Sequence, residues 1–315
     1  MHEHHGHAEE PETARQLTAA LGLTALVLLV EVAGAWRSGS MALAADAAHV
    51  LGDVLALGSA AWAANLALRP PTARRTYGFG RTGILVALLN TVVLMVISLG
   101  IAVLALLRIG HPPAIRTLWM LFPAIVGLGI NSLIAWRLHA ASERDLNVRS
   151  AWLHVLGDAA ASGAVILGAL CIAWTGIRVV DPLLSLGISL ALLRGGWQVL
   201  RRTAAVLQES SPEGLDTTQV AAAMAEVAGV HGVHHVHLWS IGGGRRAMSG
   251  HLVLGAISLP EGQRIARTVE ADLRARFGIE HCTLQIEADE HCNACEPHEH
   301  RQGPARRARK RVAGS

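Results

Sequence analysis

Two short segments, each inside an apolar run, carry metal-ligand side chains at the same spacing. Ala44-Ala-Asp-Ala-Ala-His-Val-Leu-Gly-Asp53 and Trp152-Leu-His-Val-Leu-Gly-Asp158 both place a His four residues before an Asp, giving His49/Asp53 and His154/Asp158. On a helix, positions i and i+4 share one face about 6 Å apart along the axis. Two such faces turned toward each other set two imidazoles and two carboxylates around one point. That donor set suits tetrahedral Zn²⁺, with bonds of about 2.0–2.2 Å. Soft Cu(I) is poorly served, because the set holds neither thiolate nor thioether. The bland alternative is four polar residues bonding helix to helix. A charged side chain in mid-bilayer costs about 2.5–3.5 kcal/mol even on insertion scales, and the repeated spacing favours metal. Asp46 lies on nearly the same face as His49. It either orients that imidazole from behind or simply sits near a helix end. Glu31 falls near the end of the first apolar segment, where water is expected to reach it. Asp181, before Pro182, reads as a helix cap.

The elements that must position these residues are apolar and long. A membrane-spanning helix needs about 20 mostly apolar residues, and six runs qualify: 17–36, 41–66, 82–107, 114–136, 151–175 and 182–200. Of the 315 residues, 51% are hydrophobic and only 16% charged, against about 25% charged in ordinary soluble domains. A disordered chain is excluded, and a purely soluble enzyme is disfavoured. The net charge of +3 gives no reason to expect nucleic acid as a partner. Four Cys cannot build a disulfide framework in a chain of this length. With the amino terminus in the cytoplasm, the inner side carries Arg15, Arg69, Arg74, Arg75, Arg81, Arg137, Arg144, Arg149, Arg201 and Arg202. The outer side carries Arg37, Arg108, Arg116 and Arg178. Ten against four supports both termini on the cytoplasmic side of a cell membrane, and an even number of spans agrees.

The expected organisation is a His-rich tail (1–16), a six-span domain (17–204), a soluble domain (205–290) and a Cys/His- then Arg-rich tail (291–315). The soluble part reads helix 216–228, strands 233–241 and 246–257 joined by Gly242-Gly-Gly244, helix 261–277 and strand 280–287, an αββαβ order. Strict alternation puts His235, His237 and Trp239 on one strand face and His234 on the other. The hairpin brings His251 back near His237, and the last strand offers His281 and Glu287. Partly exposed strand histidines are the alternative to a metal site here. Cys292-Asn-Ala-Cys295 is half of a zinc site and needs ligands from elsewhere, with Glu287, His281, or His2, His4, His5 and His7 as candidates. Cys282 could be a plain strand residue. The run Arg306 to Arg311 suits anionic lipid headgroups or a solvated tail.

The segments Val30-Glu-Val-Ala-Gly34, Ser38 to Asp53, Tyr77-Gly-Phe-Gly-Arg81, Asn147 to Asp158, Asp181-Pro-Leu-Leu-Ser185, Leu207 to Gly214, His237-Leu-Trp-Ser240 and Thr283 to Glu287 resemble, in order, the cation diffusion facilitator family of zinc transporters. The resemblance covers about 17–290. It implies a homodimer, six spans per subunit, a cytoplasmic ferredoxin-like α+β domain, and proton-coupled Zn²⁺ export with His49, Asp53, His154 and Asp158 as the transport site. It also implies a cytoplasmic zinc site from His237, His251 and Glu287, with His281 beside it. Some members close a further site with amino-terminal His and a carboxy-terminal C-x-x-C. Others carry a His/Asp site between spans two and three; residues 67–81 have neither residue type, so none is expected there.

An intramembrane protease is disfavoured: no H-E-x-x-H occurs, since His2-Glu3 meets Gly6 and His298-Glu299 meets Gln302. A passive channel fits badly with a tight tetrahedral site. A membrane-bound zinc sensor that binds metal without moving it stays as the alternative to a transporter.

Overall fold

The computed structural model describes residues 10–288, apart from 68 and 144. Six helices dominate: α1 (Glu10–Ser38), α2 (Met41–Ala67), α3 (Gly80–Ile109), α4 (Thr117–Ser142), α5 (Leu146–Thr175) and α6 (Val180–Leu207). All six are long and apolar enough to cross a bilayer. Each one contains its expected apolar run almost entirely and extends beyond it, because a helix keeps its backbone bonded internally whether it lies in lipid or in water. Large side chains such as Leu26, Leu29, Trp36, Leu107, Trp136 and Trp174 point outward, as a lipid-facing surface requires.

The chain divides into two compact units, the first formed by residues 1–65 and 85–201. Between helices in lipid there is no hydrophobic driving force, so close packing of small residues holds the first unit together. Its buried centre is Ala42, Leu43, Met120, Ala124, Val165 and Ala169. Gly34 shows the demand: a Cβ there would lie 2.3 Å from Pro123 Cγ, so α1 and α4 meet this closely only over a glycine. The α1–α2 reversal uses Gly39 at φ 74°. Asp181, expected as a cap of its own helix, instead caps α2: its buried carboxylate accepts from Ser40 Oγ, from Met41 N at 2.8 Å and from Ala42 N at 3.2 Å. The first amides of α2 thus gain a charged acceptor where the helix dipole favours one.

The second unit, residues 66–84 and 202–315, contains α7 (Thr217–Ala225), β1 (Gly232–Gly242), β2 (Arg245–Val253), α8 (Leu259–Phe277) and β3 (Ile279–Glu287). The αββαβ order is as expected. The sheet order is β1-β2-β3, antiparallel then parallel. Gly243 and Gly244, both at positive φ (63° and 75°), make the two-residue hairpin connection that such turns demand. One sheet face, with Leu238, Met248, Leu252, Leu284 and Ile286, packs on Val220, Met224, Ile265, Val269 and Leu273 of α7 and α8. The histidines lie on the other face, together with Ala247 and Val253.

Candidate metal centres

In the first unit, α2 and α5 carry the two His-x-x-x-Asp pairs, and the structure crosses them. His49 Nε2 lies 2.7 Å from Asp158 Oδ1, and His154 Nε2 lies 3.3 Å from Asp53 Oδ1 and 3.8 Å from Asp158 Oδ2. The two rings meet edge to face at 5.8 Å. Tetrahedral bonds of about 2.0–2.1 Å set neighbouring ligand atoms about 3.3 Å apart, so these separations are on the scale of a metal's first coordination sphere. Ligand atoms of His49, Asp53 and Asp158 all lie within 4.8 Å of one another, while His154 approaches that group from its side. Asp158 is buried and the His154 side chain is 55% exposed. Asp46 is buried beside this group. It accepts from Ser162 Oγ at 3.3 Å, and that serine is the partner its hydrogen bonding reveals. Glu31, expected near water, is instead buried, 1% exposed.

In the second unit a different trio converges: His234, His251 and Glu287. His234 Nε2 is 2.8 Å from Glu287 Oε2, and His251 Nδ1 is 2.9 Å from Glu287 Oε1. The His251 contact falls outside hydrogen-bond geometry, which leaves a buried imidazole nitrogen facing a carboxylate oxygen without a proper bond. Two imidazoles and a carboxylate in this arrangement fit Zn²⁺ as three of its four ligands. Burial pushes the His251 imidazole below its ordinary value; Glu287 opposes the shift, and His234 and His235 add to it. Neutral imidazole is the form a metal needs.

His234 takes the place expected of His237. Strict alternation fails because β1 carries a bulge: His234 pairs with His251, but the next registered pair is His237 with Ser249, so two residues of β1 face one of β2. His235 sits in the bulge at φ 54°, a left-handed conformation that His adopts more readily than most side chains. The extra residue shifts the phase and brings His234 to the face of His237. His237 stacks on His235 at 4.6 Å, and His235 lies 4.9 Å from His251. The only sequence hint was the His234-His235 doublet beside a hairpin whose arms differ in length. His281 is also displaced from its expected place. It pairs with Ala247, whereas His251 pairs with Gln285, and it stacks instead on Tyr77 at 5.4 Å. Six residues separate it from Glu287, about 20 Å along a strand. Cys282 packs against the apolar core as a strand residue, and burial pushes its thiol up to about 11. Cys292, Cys295, His2, His4, His5 and His7 lie outside the described residues.

Comparison with known proteins matches both units. Residues 17–208 match the cation efflux transmembrane domain and residues 212–289 the cation efflux protein cytoplasmic domain. The chain is 39% identical over 283 residues to the zinc transporter ZitB of Escherichia coli (strain K12), covering 89% of this chain and 90% of that one. It is 33% identical over 290 residues to the cadmium, cobalt and zinc/H(+)-K(+) antiporter of Bacillus subtilis (strain 168), covering 91% and 93% of the two. It is also 33% identical over 283 residues to the metal cation efflux system protein CzcD of Cupriavidus metallidurans, covering 90% and 89%. Six membrane-length helices, an αββαβ domain and these matches along nearly the whole chain make it an integral membrane transporter that belongs to the cation efflux family.

Proposed function

We propose that the chain exports Zn²⁺, with Cd²⁺ and Co²⁺ as further substrates, from the cytoplasm in exchange for protons, and that His49, Asp53, His154 and Asp158 form the transport site. The observation that carries this reading is the crossed pairing of the two His-x-x-x-Asp segments. Without metal, protons on the imidazoles compensate the two carboxylates. With Zn²⁺, the imidazoles are neutral and the ion itself supplies the compensating charge. Both forms are close to neutral, which matters because net charge is what makes movement through lipid costly. Rocking of the bundle then exposes the same site first to one side and then to the other, and protons from the outer side displace the metal. The relatives' names support zinc as substrate and protons as the counter-ion.

Both termini are proposed to lie in the cytoplasm; Arg counting supports this, as does the likeness of residues 212–289 to a cytoplasmic domain. We read the protein as a homodimer. A resident Zn²⁺ in the C-terminal domain would be held by His234, His251 and Glu287, and it would pin β1, β2 and β3 together. That trio also favours a second reading, a metal sensor that moves no ion. Zinc uptake by everted membrane vesicles separates the two. Wild-type protein gives proton-driven accumulation, whereas His49→Ala gives none; a sensor gives none in either case.

A further inference from the structure

A second buried polar group lies in the six-helix unit, one helical turn from the metal cluster. Glu31 of α1 is 1% exposed, and neither of its carboxylate oxygens has a hydrogen-bond partner. A Cβ on Gly127 of α4 would lie 2.9 Å from Glu31 Oε1 and 3.2 Å from Ser162 Oγ, so both oxygens border the same bare backbone position. Ser162, 2% exposed, donates in turn to Asp46 Oδ2 at 3.3 Å, and Asp46 is 1% exposed. Asp46 precedes His49 by three residues on α2, and Ser162 follows Asp158 by four on α5. Both steps run from the metal cluster toward the end of the bundle where α1 turns into α2.

The donor set decides what this group can hold. It contains oxygens only, which poorly suits Zn²⁺. Ca²⁺ and Mg²⁺ require six or more oxygens, and two carboxylates and a hydroxyl offer fewer. Yet a carboxylate in a membrane interior with no donor needs a neutralising partner. A proton fits: Ser162 already donates to Asp46, and because its oxygen and Glu31 Oε1 border the same bare position of α4, a side-chain rotation of Glu31 would set its O–H against the lone pair that the Ser162 hydroxyl leaves free. The ionisable groups around Glu31 are the carboxylates Asp46, Asp158 and Asp53. α4 brings Gly127 to this point and α5 brings Ser162.

We propose that Glu31 is a proton-carrying residue separate from the metal ligands, and that it exchanges its proton with Asp46 through Ser162 as the transporter turns over. In that step the Glu31 O–H bond breaks as the Ser162 oxygen takes the proton. The Ser162 O–H bond breaks as an Asp46 O–H forms, and total charge is unchanged. The proposal rests on proton-coupled export. The test uses the purified full-length chain in proteoliposomes, with two readings: zinc uptake driven by an imposed pH gradient, and zinc–cadmium exchange at equal pH on both sides. Glu31→Gln should lower gradient-driven uptake at least tenfold while exchange stays within twofold of wild type, and Glu31→Asp should recover part of the uptake. Uptake within twofold of wild type in Glu31→Gln overturns the proposal. So does an equal loss of uptake and exchange, which marks a structural role. A wild type blind to the gradient, yet still exchanging metal, overturns proton coupling itself and the Glu31 assignment with it.

Discussion

His49 and His154 each meet a carboxylate from the other helix of the α2–α5 pair, so losing one partner leaves an unpaired charge and an incomplete coordination sphere. Asp158 contacts both imidazoles, at 2.7 and 3.8 Å, and its loss removes a ligand and the partner of His49 together. In the C-terminal domain, Glu287 touches both His234 and His251. Glu287→Gln removes a ligand and should weaken zinc binding there by more than the about 10–100-fold that loss of a group merely orienting a ligand costs, as titration calorimetry of the full chain would show. The lowered His251 sets the pH dependence. Its folded-state pKa is below its unfolded value, so the unfolded chain binds more protons in the window between them. Stability is therefore full above the ordinary imidazole range near about 6.5 and falls as pH drops through it. Zinc affinity at this trio should decline as pH falls below the ordinary imidazole range; an affinity unchanged down to about pH 4 contradicts that assignment. At this scale His49, Asp53, His154 and Asp158 were legible because helical spacing is a local property. His234 was not legible, because a single residue in a left-handed bulge reverses the phase of a strand.

Among the elements, apolar length announced the six helices and turn glycines announced the hairpin. What sequence could not supply was which elements meet. Asp181 and Ser40 lie 141 positions apart, and nothing local shows that one helix caps another. The same holds for Glu31, whose burial comes from Gly127 and Ser162 on helices far along the chain. Asp181→Ala leaves Ser40, Met41 and Ala42 without their acceptor. Losing a helix cap costs about 1–2 kcal/mol, and thermal unfolding in detergent should show a drop of that order, while Asp181→Glu restores part of it. An unchanged midpoint in the alanine variant would mean that water or a neighbour satisfies the amides equally well.

For the molecule as a whole, composition alone suggested an apolar bundle followed by a polar domain, and the two family models match residues 17–208 and 212–289. The αββαβ order was legible because each element is local. The parallel pairing of β3 with β2 follows from α8 lying between them in sequence, since parallel strands need a crossover. A Zn²⁺ at His234, His251 and Glu287 would link all three strands of that sheet, so added zinc should raise the unfolding temperature of the full chain and chelation should lower it. Glu287→Gln should abolish most of that response.

In the proposed cycle, imidazoles and carboxylates from α2 and α5 grip a divalent ion that protons then displace. Zinc flux into proteoliposomes, with and without a pH gradient, tests it most directly on the wild type and on Asp158→Ala. The wild type should accumulate zinc at least tenfold faster with the gradient than without it, and Asp158→Ala should fall to the level of empty vesicles in both conditions. Gradient-driven uptake by Asp158→Ala equal to that of the wild type would contradict the account.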